Sequence, residues 1–239
     1  MAIIGPVTAR PFLRRWSRWL IGAVVLLVFL LVGGPFVYIH FIEGKAPKKL
    51  SLATTGAGAS TASASVPLNG TWTTTGASQL GYRVQEVLFG QSNTAVGRTN
   101  AVTGHITIDG SQVTSAAFSV DLTKVTSDES RRDNSFQNRI MDTATFPTAS
   151  FGLTQPLPLS AIPADGVTIS ARASGNLTMR GATHAVVVDL TARRTGNRIE
   201  VTGSIPVRFA DWNIPNPSFG PVTTQDHGVL EFLVVFSHS

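Results

Sequence analysis

The chain has 239 residues, with 19 Lys and Arg, 14 Asp and Glu and no Cys, so disulfides, thiolate catalysis and cysteine-based metal sites are excluded. Its basicity is local: seven of the cations, and Glu43 alone among the acids, precede Val66, leaving 12 Lys and Arg against 13 Asp and Glu and a net charge of −1 beyond it. With no cationic cluster larger than Arg131-Arg132 or Arg193-Arg194, that part has no electrostatic footprint for DNA or RNA.

Residues 1–19 form a basic N-terminus with Arg10, Arg14, Arg15 and Arg18. Leu20 to Ile42, LIGAVVLLVFLLVGGPFVYIHFI, follows without a formal charge when His40 is neutral. As a helix it extends about 34 Å, enough for ~30 Å of hydrocarbon, and is expected to be a single-pass anchor. The arginines before it outweigh Lys45, Lys48 and Lys49 once Glu43 is counted, so the positive-inside rule puts the N-terminus in the cytoplasm and the C-terminal domain outside, extracellular or periplasmic. A cleaved signal peptide would end its apolar core near Gly33-Gly34-Pro35, but FVYIHFI continues the run and no small-x-small site follows promptly. Residues 43–66 are rich in Ala, Ser, Thr and Gly, a composition expected of a flexible linker.

Residues 67–239 are long enough for one domain and alternate with a period of two. The apolar rows are Phe118, Val120, Leu122; Val186, Val188, Leu190; Ile199, Val201, Ile205, Val207, Phe209; and Leu230, Phe232, Val234, Phe236. Turns are expected at Asp109-Gly110, Arg180-Gly181 and Thr195-Gly196-Asn197. Many strands with one apolar face each predict an all-β sandwich or closed barrel. One helix is expected, Asp128 to Met141, with Ser127 as N-cap and Phe136 and Ile140 on one face.

No H-x-H, HExxH or GxSxG pattern occurs, and His40, His105, His184, His227 and His238 are scattered, so neither a metal site nor a catalytic centre is expected. Asp226-His227 reads as a loop-closing pair, and Arg132-Asp133 as a local cap with the Arg holding a strand end. The small residues Ala171, Ala173, Gly175 and Gly203 among the rows would leave room inside, or let a strand bend.

Two tracts carry more information: SRRDNSFQNRIMDTATFPTASF from Ser130 to Phe151, and GNLTMRGATH from Gly175 to His184. Arg132-Asp133 opening a short helix, then Phe146-Pro147, Phe151, Gly175, Leu177, Thr178, Gly181 and His184 in order, resemble the bacterial YceI-like family of secreted or periplasmic lipid-binding barrels. The resemblance extends from Gly70 to the C-terminus. It implies an eight-stranded antiparallel lipocalin-like barrel with its apolar faces inward. It further implies a ligand that is an isoprenoid or other long-chain lipid, held without catalysis or cofactor. The inward rows then supply Phe118, Val120, Phe151, Val186, Val188, Val207, Phe209 and Phe232 as the cavity lining. The alternative is an envelope interaction protein with a filled core, whose loops, especially Asp211 to Thr224, engage a protein or cell-wall partner.

Overall fold

The computed structural model describes residues 12–34, 46–53, 67–88, 90–159, 164–220 and 222–239. Near the N-terminus, α1 (Phe12–Val28) runs into a π-helical turn, Phe29–Gly33. This helix starts eight residues before the expected Leu20–Ile42 span and includes Arg14, Arg15 and Arg18. Among the described residues no helix is long and apolar enough to cross a membrane. Positions 35–42 of the expected span and residues 54–66 of the linker lie outside the described residues.

The rest is a barrel. Its strands are β1 (Gly70–Thr74), β2 (Gln79–Leu88), β3 (Gln91–Thr99), β4 (Val102–Asp109), β5 (Gln112–Asp121), β6 (Thr148–Leu153), β7 (Leu157–Pro158), β8 (Thr168–Met179), β9 (Ala182–Thr195), β10 (Arg198–Arg208), β11 (Val222–Thr224) and β12 (His227–His238). Four staves are broken: β1 continues as β2, β3 as β4, β6 as β7 and β11 as β12, each pair of segments bonding the same neighbour or neighbouring stave. Counted so, eight antiparallel staves follow one another in chain order, and β12 closes the ring on both β1 and β2. Closure removes the open sheet edges that would otherwise invite association.

All three expected turns are present, with positive φ at Gly110, at Arg180 and Gly181, and at Gly196. Between β5 and β6 lies α2 (Ser130–Ser135), extended by a π-helical turn, Phe136–Ile140. The helix begins two residues later than expected: the Ser127 hydroxyl donates to Asp133 (2.6 Å) and accepts from Glu129 N (3.2 Å), a turn that precedes the first helical residue. Glu129 caps instead, accepting from Arg131 N at 3.2 Å. Residues 121–147, the 180–181 turn and the 209–226 segment all gather at one rim, the helix end.

Candidate functional site: the barrel lumen

The core is not filled. Two apolar clusters occupy the barrel, one toward the helix end around Phe136, Met141, Met179, Val207 and Trp212, and one around Trp72, Ile106, Ile199 and Phe236 at the far end. Between and along them runs a cavity of about 1340 Å³. A close-packed interior holds few voids larger than a water molecule, and small-molecule pockets run to roughly 1,000 Å³. A lumen of this size argues against the filled core of the alternative reading.

Aromatic rings laid against the wall keep the lumen open. A Cβ on Gly97 would lie 2.3 Å from the Tyr82 ring, one on Gly104 2.6 Å from Phe118, one on Gly175 2.3 Å from Phe151 and one on Gly203 2.7 Å from Phe232. In three of the four the ring and glycine are register partners on adjacent strands: Tyr82 with Gly97, Phe118 with Gly104, Phe232 with Gly203. Without a glycine there, each ring would have to stand out into the lumen. Gly175 and Gly203 thus act as seats for rings, while Ala171 and Ala173 line the cavity directly.

Seven of the eight sequence-expected residues, Phe118, Val120, Phe151, Val188, Val207, Phe209 and Phe232, face the cavity. Val186 does not: it is half-buried against the helix-end cluster, paired in register with Gly175, whose level of the wall is taken by the Phe151 ring. The β2 and β3 contributions, Leu80, Tyr82, Val84, Leu88, Ala95 and Thr99, have a weak sequence signal because Gly81, Gly97 and polar residues interrupt the alternation there.

The lumen is polar at its helix end. Glu86 points inward from β2, ion-paired with Arg132 of α2 at 3.2 Å and accepting from Asn93 at 2.8 Å; Arg132 also pairs with Asp128. Below them the Tyr82 ring stacks on Phe136, centroids 5.1 Å apart. Burial is the main cause that pushes the Tyr82 phenol well above its ordinary pKa, so it stays neutral. Apart from Ser150, every fully exposed lining residue, namely Arg131, Asn134, Asn138, Arg139 and Phe219, belongs to this end. The mouth is there.

The other polar candidates are peripheral. Asp226 accepts from His227 at 2.8 Å beside Arg208, all exposed, and His184 bonds Asp211 O at 2.6 Å while its ring meets Trp212 edge-on. Asp133 accepts from Ser127 N at 2.7 Å. His105 is exposed on β4, His238 packs on Trp72, and His40 lies outside the described residues. Among the described residues no three His, Cys, Asp or Glu converge.

A YceI-like domain matches residues 72–236, the whole barrel from β1 into β12. The chain belongs to the YceI-like family. No curated protein matches the sequence. Among solved structures, this YceI-like chain is similar to a polyisoprenoid binding domain from Saccharophagus degradans implicated in plant cell wall breakdown, at 17% identity and a TM-score of 0.57, over 72% of this chain and 99% of that one. It is also similar to a Campylobacter jejuni YCEI protein, at 15% identity and a TM-score of 0.50, over 60% of this chain and 84% of that one. At these identities the likeness is one of fold.

Proposed function

We propose that this YceI-like protein is a membrane-anchored, outward-facing carrier that holds an isoprenoid or other long-chain lipid in its barrel, without catalysis. The observation that carries the reading is the open lumen: about 1340 Å³ of apolar space with one polar mouth suits a ligand with a long hydrocarbon body and a small polar head. The Saccharophagus neighbour, described as a polyisoprenoid binding domain, supports the same ligand class. Moving a lipid tail from water into the lumen gains about 0.8 kcal/mol per CH₂. A tail taken from a bilayer is already in hydrocarbon, so the exchange is near neutral and reversible, as a carrier needs.

Support for the anchor comes from the uncharged run Leu20 to Ile42 and from α1 with the π-helical turn that continues it, where large apolar side chains from Trp19 to Leu31 stand exposed among the described residues. Such a surface is unsuited to water and suited to lipid. The basic residues ahead of it favour a cytoplasmic N-terminus.

The test is extraction of the purified full chain followed by mass spectrometry. A long-chain lipid recovered near one per protein is expected; protein that folds and never carries lipid after expression in a membrane-containing host overturns the reading.

A further inference from the structure

Residues 46–53 lie on the outside of the barrel wall, over an ionic patch. Arg83 and Arg98, on the outer faces of β2 and β3, hold Glu231 of β12 at 3.0 and 3.2 Å. Glu231 is only 5% exposed although it points away from the lumen row, because the 46–53 backbone covers it. Arg83 donates to Pro47 O (2.7 Å), Arg98 to Lys48 O, Thr202 to Leu50 O (3.2 Å) and Arg193 to Ala53 O (2.6 Å), while Leu50 N donates to Glu231 (3.4 Å). This strap has a direction. Arg83 is level with Val229, Thr202 with Leu233, and Arg193 with Glu200 and so with Val235; the chain arrives near the helix end of β12 and leaves toward the far end.

The rim that the strap approaches is amphipathic. Phe219 is 77% exposed and Val87 42%. The Arg139 guanidinium sits 6.0 Å from the Phe219 ring centroid and donates to the Asn216 and Pro217 carbonyls, and Arg131 is exposed on the same rim. The far end offers Val167 as its exposed large apolar side chain among the described residues, beside turns bearing Asp109, Asp165 and Arg198; the helix-end rim also carries exposed Asp128, Asp211 and Asp226, of which Asp128 pairs with Arg132 and Asp226 with Arg208.

We infer that the helix-end rim, with Phe219, Val87, Arg131 and Arg139, rests on the anionic phospholipid surface of the membrane that carries the anchor, so that the lumen opens onto the bilayer. This rests on the anchored-carrier reading. Chain length argues for it: five residues from position 42 to 47 reach at most about 18 Å. Pro47 meets Arg83 about 7 Å along the strand from the start of β12, but about 30 Å from its end. With a strand tilt near 40° the far end is still about 23 Å away along the axis. The tether allows the rim to touch the surface and is too short for the far end. Arginine beside an exposed aromatic is also the composition that interfacial segments use on anionic lipid.

The experiment uses the full, naturally Cys-free chain in vesicles of phosphatidylethanolamine and phosphatidylglycerol containing a nitroxide-headgroup lipid. Single cysteines at the rim, Asn134→Cys, and at the far-end hairpin, Ser111→Cys, carry bimane. Quenching of the rim probe with the far-end probe left bright is expected, and Phe219→Ser with Arg131→Gln should restore rim fluorescence. Equal quenching, stronger quenching at Ser111→Cys, or a rim signal indifferent to the double substitution overturns the inference. Lipid is extracted from the same samples. Bound lipid with an unquenched rim removes the rim inference and leaves the carrier; a quenched rim without bound lipid removes the carrier and leaves the rim. Protein that does not remain with the vesicles overturns both the anchor and the rim.

Discussion

Val188 lines the lumen wall within the helix-end cluster, 2% exposed and in register with Ala173, so a larger side chain there has to push toward the lumen. Val188→Phe should therefore lower the lipid recovered per mole of folded protein, at a stability cost of no more than about 1–3 kcal/mol. Mass spectrometry beside a melting curve reads both. Gly203→Ala is the converse case. Its Cβ would meet the Phe232 ring at 2.7 Å and Asp189 O at 2.9 Å, forcing the ring inward, so a loss of about 1–3 kcal/mol together with reduced lipid content is expected. A pH effect belongs here too. The hydrogen bond and charge of Arg172 lower the Asp189 pKa, so its small stabilising contribution is present above the ordinary carboxylate pKa and lost as pH falls through the lowered one. Thermal melts across that acid limb should be shallower for Asp189→Asn than for the parent.

At the scale of elements, α2 is held from both sides. Asp133 binds back to Ser127, and Arg132 reaches the inward Glu86 of β2, while Arg180 Nε donates to Ile140 O at 2.8 Å and ties the following turn to the β8–β9 hairpin. Removing one member of a buried ion pair costs about 3–5 kcal/mol, and Arg132 keeps Asp128, so Glu86→Ala should cost less, roughly 2–3 kcal/mol by the same comparison. Denaturant melts measure it, and hydrogen exchange should rise first in 128–141. The Arg132-Asp133 pair could be read from sequence as a local cap, and Asp133 is one. Glu86 as its distant partner could not, because a separation of 46 residues is set by ring closure and leaves no trace in local pattern. Ser127 stands two residues ahead of the N-cap Glu129 and caps the turn before it, accepting from Glu129 N while donating to Asp133.

For the whole molecule, the charge separation predicts behaviour before any contact is considered. On the proposed anchored reading, the cations ahead of the apolar run favour an outward barrel, and a single cysteine at Ser63 should react with an impermeant maleimide in intact cells; protection there, or a mature N-terminus following Gly34, overturns the anchor. Period-two alternation and glycine turns were enough to specify hairpin positions and the apolar rows on β5, β9, β10 and β12, Val186 on β9 being the member that misses the cavity, because alternation is a property of the strand itself. Tertiary structure alone decided the rest. Whether eight staves close on a solid core or a lumen depends on rings finding glycines across the sheet, as Phe232 finds Gly203. The place of residues 46–53 depends likewise on Arg83, Arg98 and Glu231 meeting on three different strands. Their positions in the chain are far apart, and only closure of the barrel makes them neighbours.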